Sequence, residues 1–209
     1  MLSLHSPAPG FQYMRSSPHG PGKLRIVAGS LRGSRIDVID SPGMRPTSDR
    51  IRETLFNWLS PMIEGARCLD LFAGSGALGI EALSRGAASC VFVERDRALA
   101  AQIKATLVRL RLDAAQVVQA DALDWLSRNA EPFDLVFVDP PFDAGLWTVA
   151  AEALQSGNCL AQGAWIHVET PVGTEPRLPS VWQLHREGRA GAVCFALYRA
   201  NSGSKTTAP

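Results

Sequence analysis

The sequence predicts an α/β fold: a mostly parallel seven-stranded sheet with helices on both faces, an antiparallel hairpin at one edge, and a small hairpin–helix extension in front. Three observations carry this prediction. From residue 67 onward, short continuous apolar runs alternate with helical stretches, the pattern of a parallel sheet buried on both faces. Several of these runs end in an acid or a glycine loop, which is where open α/β sheets bind ligands. The last two runs are separated only by a short polar segment, so they read as a closing hairpin.

Taken in order, residues 1–22 are rich in Pro, Gly, Ser and His and read as a disordered leader. Residues 24–28 and 34–38 form a small hairpin around Gly29 and Gly33. A helix follows, capped by Thr47 or Ser48, with Asp49 in its positive first turn. Ile51, Leu55, Trp58, Leu59 and Met62 make its buried stripe. This basic extension, 23–64, precedes a main domain over 65–200. There, strands are expected at 68–72, 89–94, 116–119, 133–138, 164–169, 182–186 and 193–199. Helices are expected at 77–85, 97–110, 122–128 and 146–155, and a hairpin loop at 187–191. Residues 201–209 read as a disordered tail.

The 209 residues are 46% apolar and 20% charged, which is ordinary globular composition. No apolar run reaches 18 residues, so no membrane span is expected. The start lacks a secretory pattern. The four cysteines lie far apart without a CxxC pair, which disfavours a disulfide framework or a metal site and suits a reducing cytoplasm. The net charge of +1 is unevenly spread. Residues 1–60 hold eight Lys/Arg against four Asp/Glu, and residues 61–150 hold eight against twelve. A basic front end suits a polyanion, and an acidic centre suits hydroxyls or positive charge.

Four signals fall at strand ends. Asp70-Leu-Phe72-Ala73-Gly74-Ser-Gly76-Ala-Leu-Gly79 is a loop whose glycines allow close backbone approach to a ligand and tight helix–strand packing. Such a loop alone fits NAD, FAD or S-adenosylmethionine (SAM). Glu94 lies twenty residues after Gly74, where a carboxylate accepts from ribose hydroxyls; Arg95, Asp96 and Arg97 read as the start of the next helix. Asp121-Ala122 follows the third strand; Asp121 either accepts an adenine amine or caps the helix. Asp139-Pro140-Pro141-Phe142 ends the fourth. Its prolines fix the backbone, giving rigid acceptors beside an aromatic ring, which suits a planar group bearing NH2. Asp143 either touches substrate or caps the next helix, and the cap is the favoured reading. His5, His19, His167 and His185 and the scattered tryptophans read as structural or surface residues.

The order DLFAGSG, VFVERD, QAD, DLVFVDPPF resembles SAM-dependent methyltransferases that modify exocyclic amino groups, whose motif is [D/N/S]-P-P-[Y/F/W]. The segments LRIVAGSLRG (24–33), RPT (45–47) and DRIRETLFNWL (49–59) resemble the front end of the bacterial 16S rRNA guanine-N2 methyltransferases of the RsmD family. The resemblance spans residues 24–200. It implies a Rossmann-like class I methyltransferase acting without a metal on 16S rRNA in the small ribosomal subunit or its assembly intermediate; nothing in the sequence demands more than a monomer, and the cysteine usage suits the cytoplasm. It implies that Asp70, Phe72, Ala73, Gly74, Gly76, Glu94, Arg95, Asp121, Ala122 and Asp139 hold SAM, and that Asp139, Pro140 and Phe142 act on the base. Arg25, Arg32, Arg35, Arg45, Arg50 and Arg52 are expected to grip phosphates. The rival readings are a DNA adenine-N6 methyltransferase, a non-catalytic RNA-binding module on the same fold, and a nicotinamide oxidoreductase, which would leave DPPF without a task.

Overall fold

A computed structural model describes residues 22–39, 49–129 and 131–201 of the chain. The proposed leader (save Gly22), the Thr47/Ser48 cap, Arg45 and the tail beyond Asn201 lie outside the described residues.

The chain begins with β1 (Gly22–Arg25) and β2 (Arg35–Val38), an antiparallel hairpin. The first strand stops short of the expected 24–28. The amides of Val27 and Ala28 leave the hairpin and donate to the Glu81 carboxylate at 2.8 and 3.0 Å. Helix α1 (Asp49–Leu59) buries Ile51, Leu55 and Leu59 as the stripe predicts, and also Phe56 and Arg52.

The main sheet follows: β3 (Arg67–Asp70), α2 (Ala77–Ser84), β4 (Ser89–Glu94), α3 (Arg97–Leu110), β5 (Ala115–Gln119), α4 (Ala122–Leu126), β6 (Phe133–Val138), α5 (Trp147–Ser156), β7 (Leu160–Pro171), β8 (Trp182–Ala190) and β9 (Val193–Ala200). Its spatial order is β5-β4-β3-β6-β7-β9-β8. The first five of these strands pair in parallel, and β9 is antiparallel to both β7 and β8. The order reverses between β3 and β6, so the crevice at their C-terminal ends is the topological switch point.

Two apolar layers sandwich the sheet. One gathers Phe56, Ile80, Phe92, Ile103 and Phe137 under α1, α2 and α3. The other gathers Leu69, Val136, Val138, Leu154 and Ile166 under α4 and α5. All eight residues of α2 are buried, because it lies between the sheet and the N-terminal hairpin. A Cβ on Gly79 would stand 2.3 Å from the Phe92 ring, so only glycine lets α2 settle this close to β4.

In the main sheet β3 ends at Asp70 and α4 at Leu126, each two residues before the expected end, and two boundaries shift further. β7 begins four residues early; Gly163, with φ 71°, lies in the stretch where the β6–β7 register breaks. The expected 187–191 loop shrinks to Gly191 and Ala192 between β8 and β9. Gly188 is a strand residue: a side chain there would strike the Phe195 ring at 2.5 Å.

Candidate active site

The loop after β3 is built around two carboxylates. Asp70 accepts from the Gly79 amide at 3.0 Å. Burial pushes its carboxyl up to about 7, with the Glu94 charge adding to the rise and the Gly79 bond opposing it. Glu94 accepts from the Gly74 amide at 2.8 Å and from the Asp96 amide at 2.7 Å. It therefore ties the glycine loop to the end of β4. Gly74 and Gly76 have φ of 54° and 76°, left-handed values that favour glycine. Asp96 caps α3 by accepting from Ala98 and Leu99.

At the end of β5, Asp121 caps α4: its Oδ1 accepts from the amides of Leu123 (2.9 Å) and Asp124 (3.3 Å). At the end of β6, Phe142 is half-buried and its ring centre lies 6.1 Å from that of Trp147. Trp147 in turn donates from Nε1 to the Glu169 carbonyl at 2.7 Å. Leu146, not Asp143, stands at the N-cap of α5; Asp143 is exposed at the cavity wall.

These strand ends enclose a cavity of about 600 Å³, a volume usual for small-molecule sites. Asp70, Phe72, Ala73 and Gly74 line it from β3, and Glu94 and Arg95 from β4. Asp121 and Ala122 contribute from β5, and Asp139, Pro140 and Phe142 from β6. Gly76 is not in the wall; it stands behind as the N-cap residue of α2. Seven carboxylates face Arg95 as the sole cation among the lining residues.

The basic extension divides differently. Arg25, Arg32, Arg35 and Arg50 are exposed. Arg52 is fully buried and is withdrawn from the phosphate-binding set. Its guanidinium donates to the Arg25 carbonyl at 2.8 Å and to Asp49, because the hairpin folds back over α1. Three residues escaped the sequence reading. Glu81 seats the hairpin, and Arg109 on α3 donates to the Arg35 carbonyl at 2.6 Å; both depend on long-range packing that spacing does not reveal. Glu169 lines the cavity, and its signal was available: it is the acid that ends the strand expected at 164–169, as Glu94 and Asp139 stand at the ends of theirs.

A hydride-transfer site would leave the Pro140–Pro141 corner idle, whereas an acid and a diproline corner in the cavity wall at a doubly wound sheet edge suit the handling of an amine. Fold and site together are those of a Rossmann-like methyltransferase. The profile of the family described as Conserved hypothetical protein 95 matches residues 24–199. Ribosomal RNA small subunit methyltransferase D of Escherichia coli K12 is 47% identical over 190 residues, covering 90% of this chain and 96% of the relative. The enzyme of the same name from Haemophilus influenzae is 43% identical over 187 residues, covering 88% and 97%. The solved structure of Escherichia coli yhhF, assigned as a methyltransferase, superposes with a TM-score of 0.81 at 45% identity, covering 87% of this chain and 99% of that one. The chain belongs to the RsmD family of methyltransferases. An RNA methyltransferase from Salinibacter ruber, solved with S-adenosyl-L-homocysteine, shares the fold at 15% identity and a TM-score of 0.59, covering 76% of this chain and 95% of that one.

The residues present fit SAM. Its sulfonium and ammonium are cations, and the wall is acidic; its ribose diol needs acceptors, and the Glu94 carboxylate keeps acceptor capacity beyond its two amide bonds. Phe72, Val93 and Leu99 supply apolar wall. Among the described residues no cluster of three or more His, Cys, Asp or Glu could hold a metal ion.

Proposed function

We propose that the protein transfers a methyl group from SAM to the exocyclic N2 of a guanine in 16S rRNA of the small ribosomal subunit, in the assembled subunit or an intermediate of its assembly. The observation that carries this reading is the Asp139-Pro140-Pro141-Phe142 corner standing in the wall of an acid-lined cavity at the switch point. The names of the relatives supply the class of RNA.

When bound, SAM supplies an electrophilic methyl group. The chain supplies placement. The N2 lone pair of guanine is delocalised into the ring and is a poor nucleophile. Asp139's carboxylate and the Pro140 carbonyl accept the two N2 hydrogens, which favours pyramidal nitrogen and frees the lone pair. Phe142 stacks on the base after it leaves its helix, an interaction worth roughly 1–3 kcal/mol. Asp139 takes the proton that the methylated nitrogen sheds. Arg25, Arg32, Arg35 and Arg50, with Arg45 from the sequence, hold phosphates around the target.

Small subunits, free 16S rRNA and DNA are incubated with methyl-labelled SAM and digested to nucleosides. Label in N2-methylguanosine is expected. Label in N6-methyladenine would replace this reading with the DNA-type chemistry, and no label in any substrate would leave an RNA-binding module.

A further inference from the structure

We propose that Glu169 selects the base: its carboxylate accepts the N1–H of the target guanine while Asp139 and Pro140 hold N2. This rests on the guanine-N2 reading above. Strands β6 and β7 run parallel with Val138 opposite Val168, so the next residues, Asp139 just past the end of β6 and Glu169 still within β7, stand side by side, about 4.8 Å apart along the sheet. Both belong to the cavity wall. Glu169 is only 3% exposed, yet its Oε2 has no hydrogen bond. The near group is His167 Nε2 at 3.9 Å, which also lacks one. His167 Nδ1 lies 3.2 Å from the Ala196 carbonyl, an approach that needs the proton on Nδ1. At 3.9 Å the His167 Nε2 is beyond hydrogen-bond distance, so it does not satisfy Glu169 Oε2.

A carboxylate buried without a donor is costly, and such groups call for a functional explanation. Its backbone is meanwhile held firmly, since the Glu169 carbonyl accepts from the same Trp147 that flanks Phe142. An acceptor fixed beside the amine-binding corner addresses the atom next to the amine on the base edge. In guanine that atom is N1–H, a donor. In adenine it is a bare N1, whose lone pair would face a carboxylate. Sites built on a specific hydrogen bond reject analogues lacking it far more strongly than apolar pockets do.

The test uses 2-aminopurine, which keeps the 2-amino group but has no hydrogen on N1. The methylated guanine is first mapped. It is then replaced by 2-aminopurine in ligated 16S rRNA assembled into small subunits, and single-turnover methyl transfer is measured. Wild type is expected to methylate 2-aminopurine about 100-fold or more slowly than guanine. Glu169→Leu, which cannot accept from N1–H, is expected to lose roughly 100-fold on guanine and to bind SAM within about threefold of wild type, while Glu169→Gln is expected to narrow the preference between the two bases, because its amide oxygen still accepts from N1–H and its NH2 can donate to bare N1. A Glu169→Leu with wild-type rate on guanine, or a wild type indifferent to the two bases, overturns the assignment. The wild-type comparison needs no variant, so it decides even if Glu169→Leu folds poorly. A wild type that makes no N2-methylguanosine on unmodified subunits overturns the parent reading, and this one with it. Indifference with N2-methylguanosine formed overturns this one alone.

Discussion

Asp70 is an acid placed where charge is unwelcome. It is buried at the end of β3 with its carboxyl raised to about 7, chiefly by loss of water. In the unfolded chain an aspartate titrates near 3.9. The folded state therefore holds a proton that the unfolded state has released. Asp70's contribution to stability is fully present below about pH 4 and is lost as pH rises through 7. Ligand-free wild type should melt at lower temperature at pH 8 than at pH 5, by a wider margin than Asp70→Asn, whose amide oxygen can still accept from Gly79. Parallel melting of the two proteins across that range, followed by circular dichroism, would show that Asp70 is not the titrating group. Such residues were half legible in the sequence. Strand-end position marked Asp70, Glu94, Asp121 and Asp139 and offered the helix cap that Asp121 makes, but it did not reveal that Glu94 also pins backbone. The carboxylates form the loops that shape the cavity as well as lining it.

At the scale of elements, the N-terminal hairpin is seated on α2 by a small set of polar interactions. Glu81 accepts from Val27, Ala28 and the Arg85 guanidinium. Ser84 donates from its hydroxyl to the Ala28 carbonyl at 2.6 Å and accepts from the Leu31 amide at 3.0 Å. Gly29 has φ 82°, and a Cβ there would fall 1.8 Å from the Ser84 carbonyl oxygen. Gly29→Ala should lift the hairpin while the sheet stays folded. Glu81→Ala should cost about 3–5 kcal/mol, the range for breaking a buried charge pair. Limited proteolysis reads both: new cleavage within residues 22–39 is expected, and an unchanged digestion pattern would mean the seat is not needed. This docking also explains which elements were readable. Continuous apolar runs and clean helical periods placed β4, α3 and β6 at their observed bounds. Errors fell where tertiary packing overrode local pattern. Arg52 looks like a surface cation on a helix, but the hairpin covers it, and Gly188 looks like a loop glycine until Phe195 lies against it.

Across the whole molecule, charge is sorted by task. The cavity is ringed by carboxylates, which suits a cationic cofactor and the donor-rich edge of a base. The extension exposes Arg25, Arg32, Arg35 and Arg50, and Arg109 fastens α3 to the hairpin beside them. On the function proposed above, an RNA chain would meet the basic surface and a base splayed from it would enter the acidic crevice. The two charge fields can therefore be separated experimentally. Replacing Arg32, Arg35 and Arg50 with Gln leaves every described hydrogen bond around the cavity untouched. The triple variant should bind small-subunit RNA more weakly, and its log-affinity against log-salt slope should flatten by roughly 0.7–0.9 for each phosphate that is no longer neutralised. Its SAM affinity should match wild type. RNA binding measured from 50 to 200 mM salt is the check, and an unchanged slope would move the RNA-facing surface away from this extension.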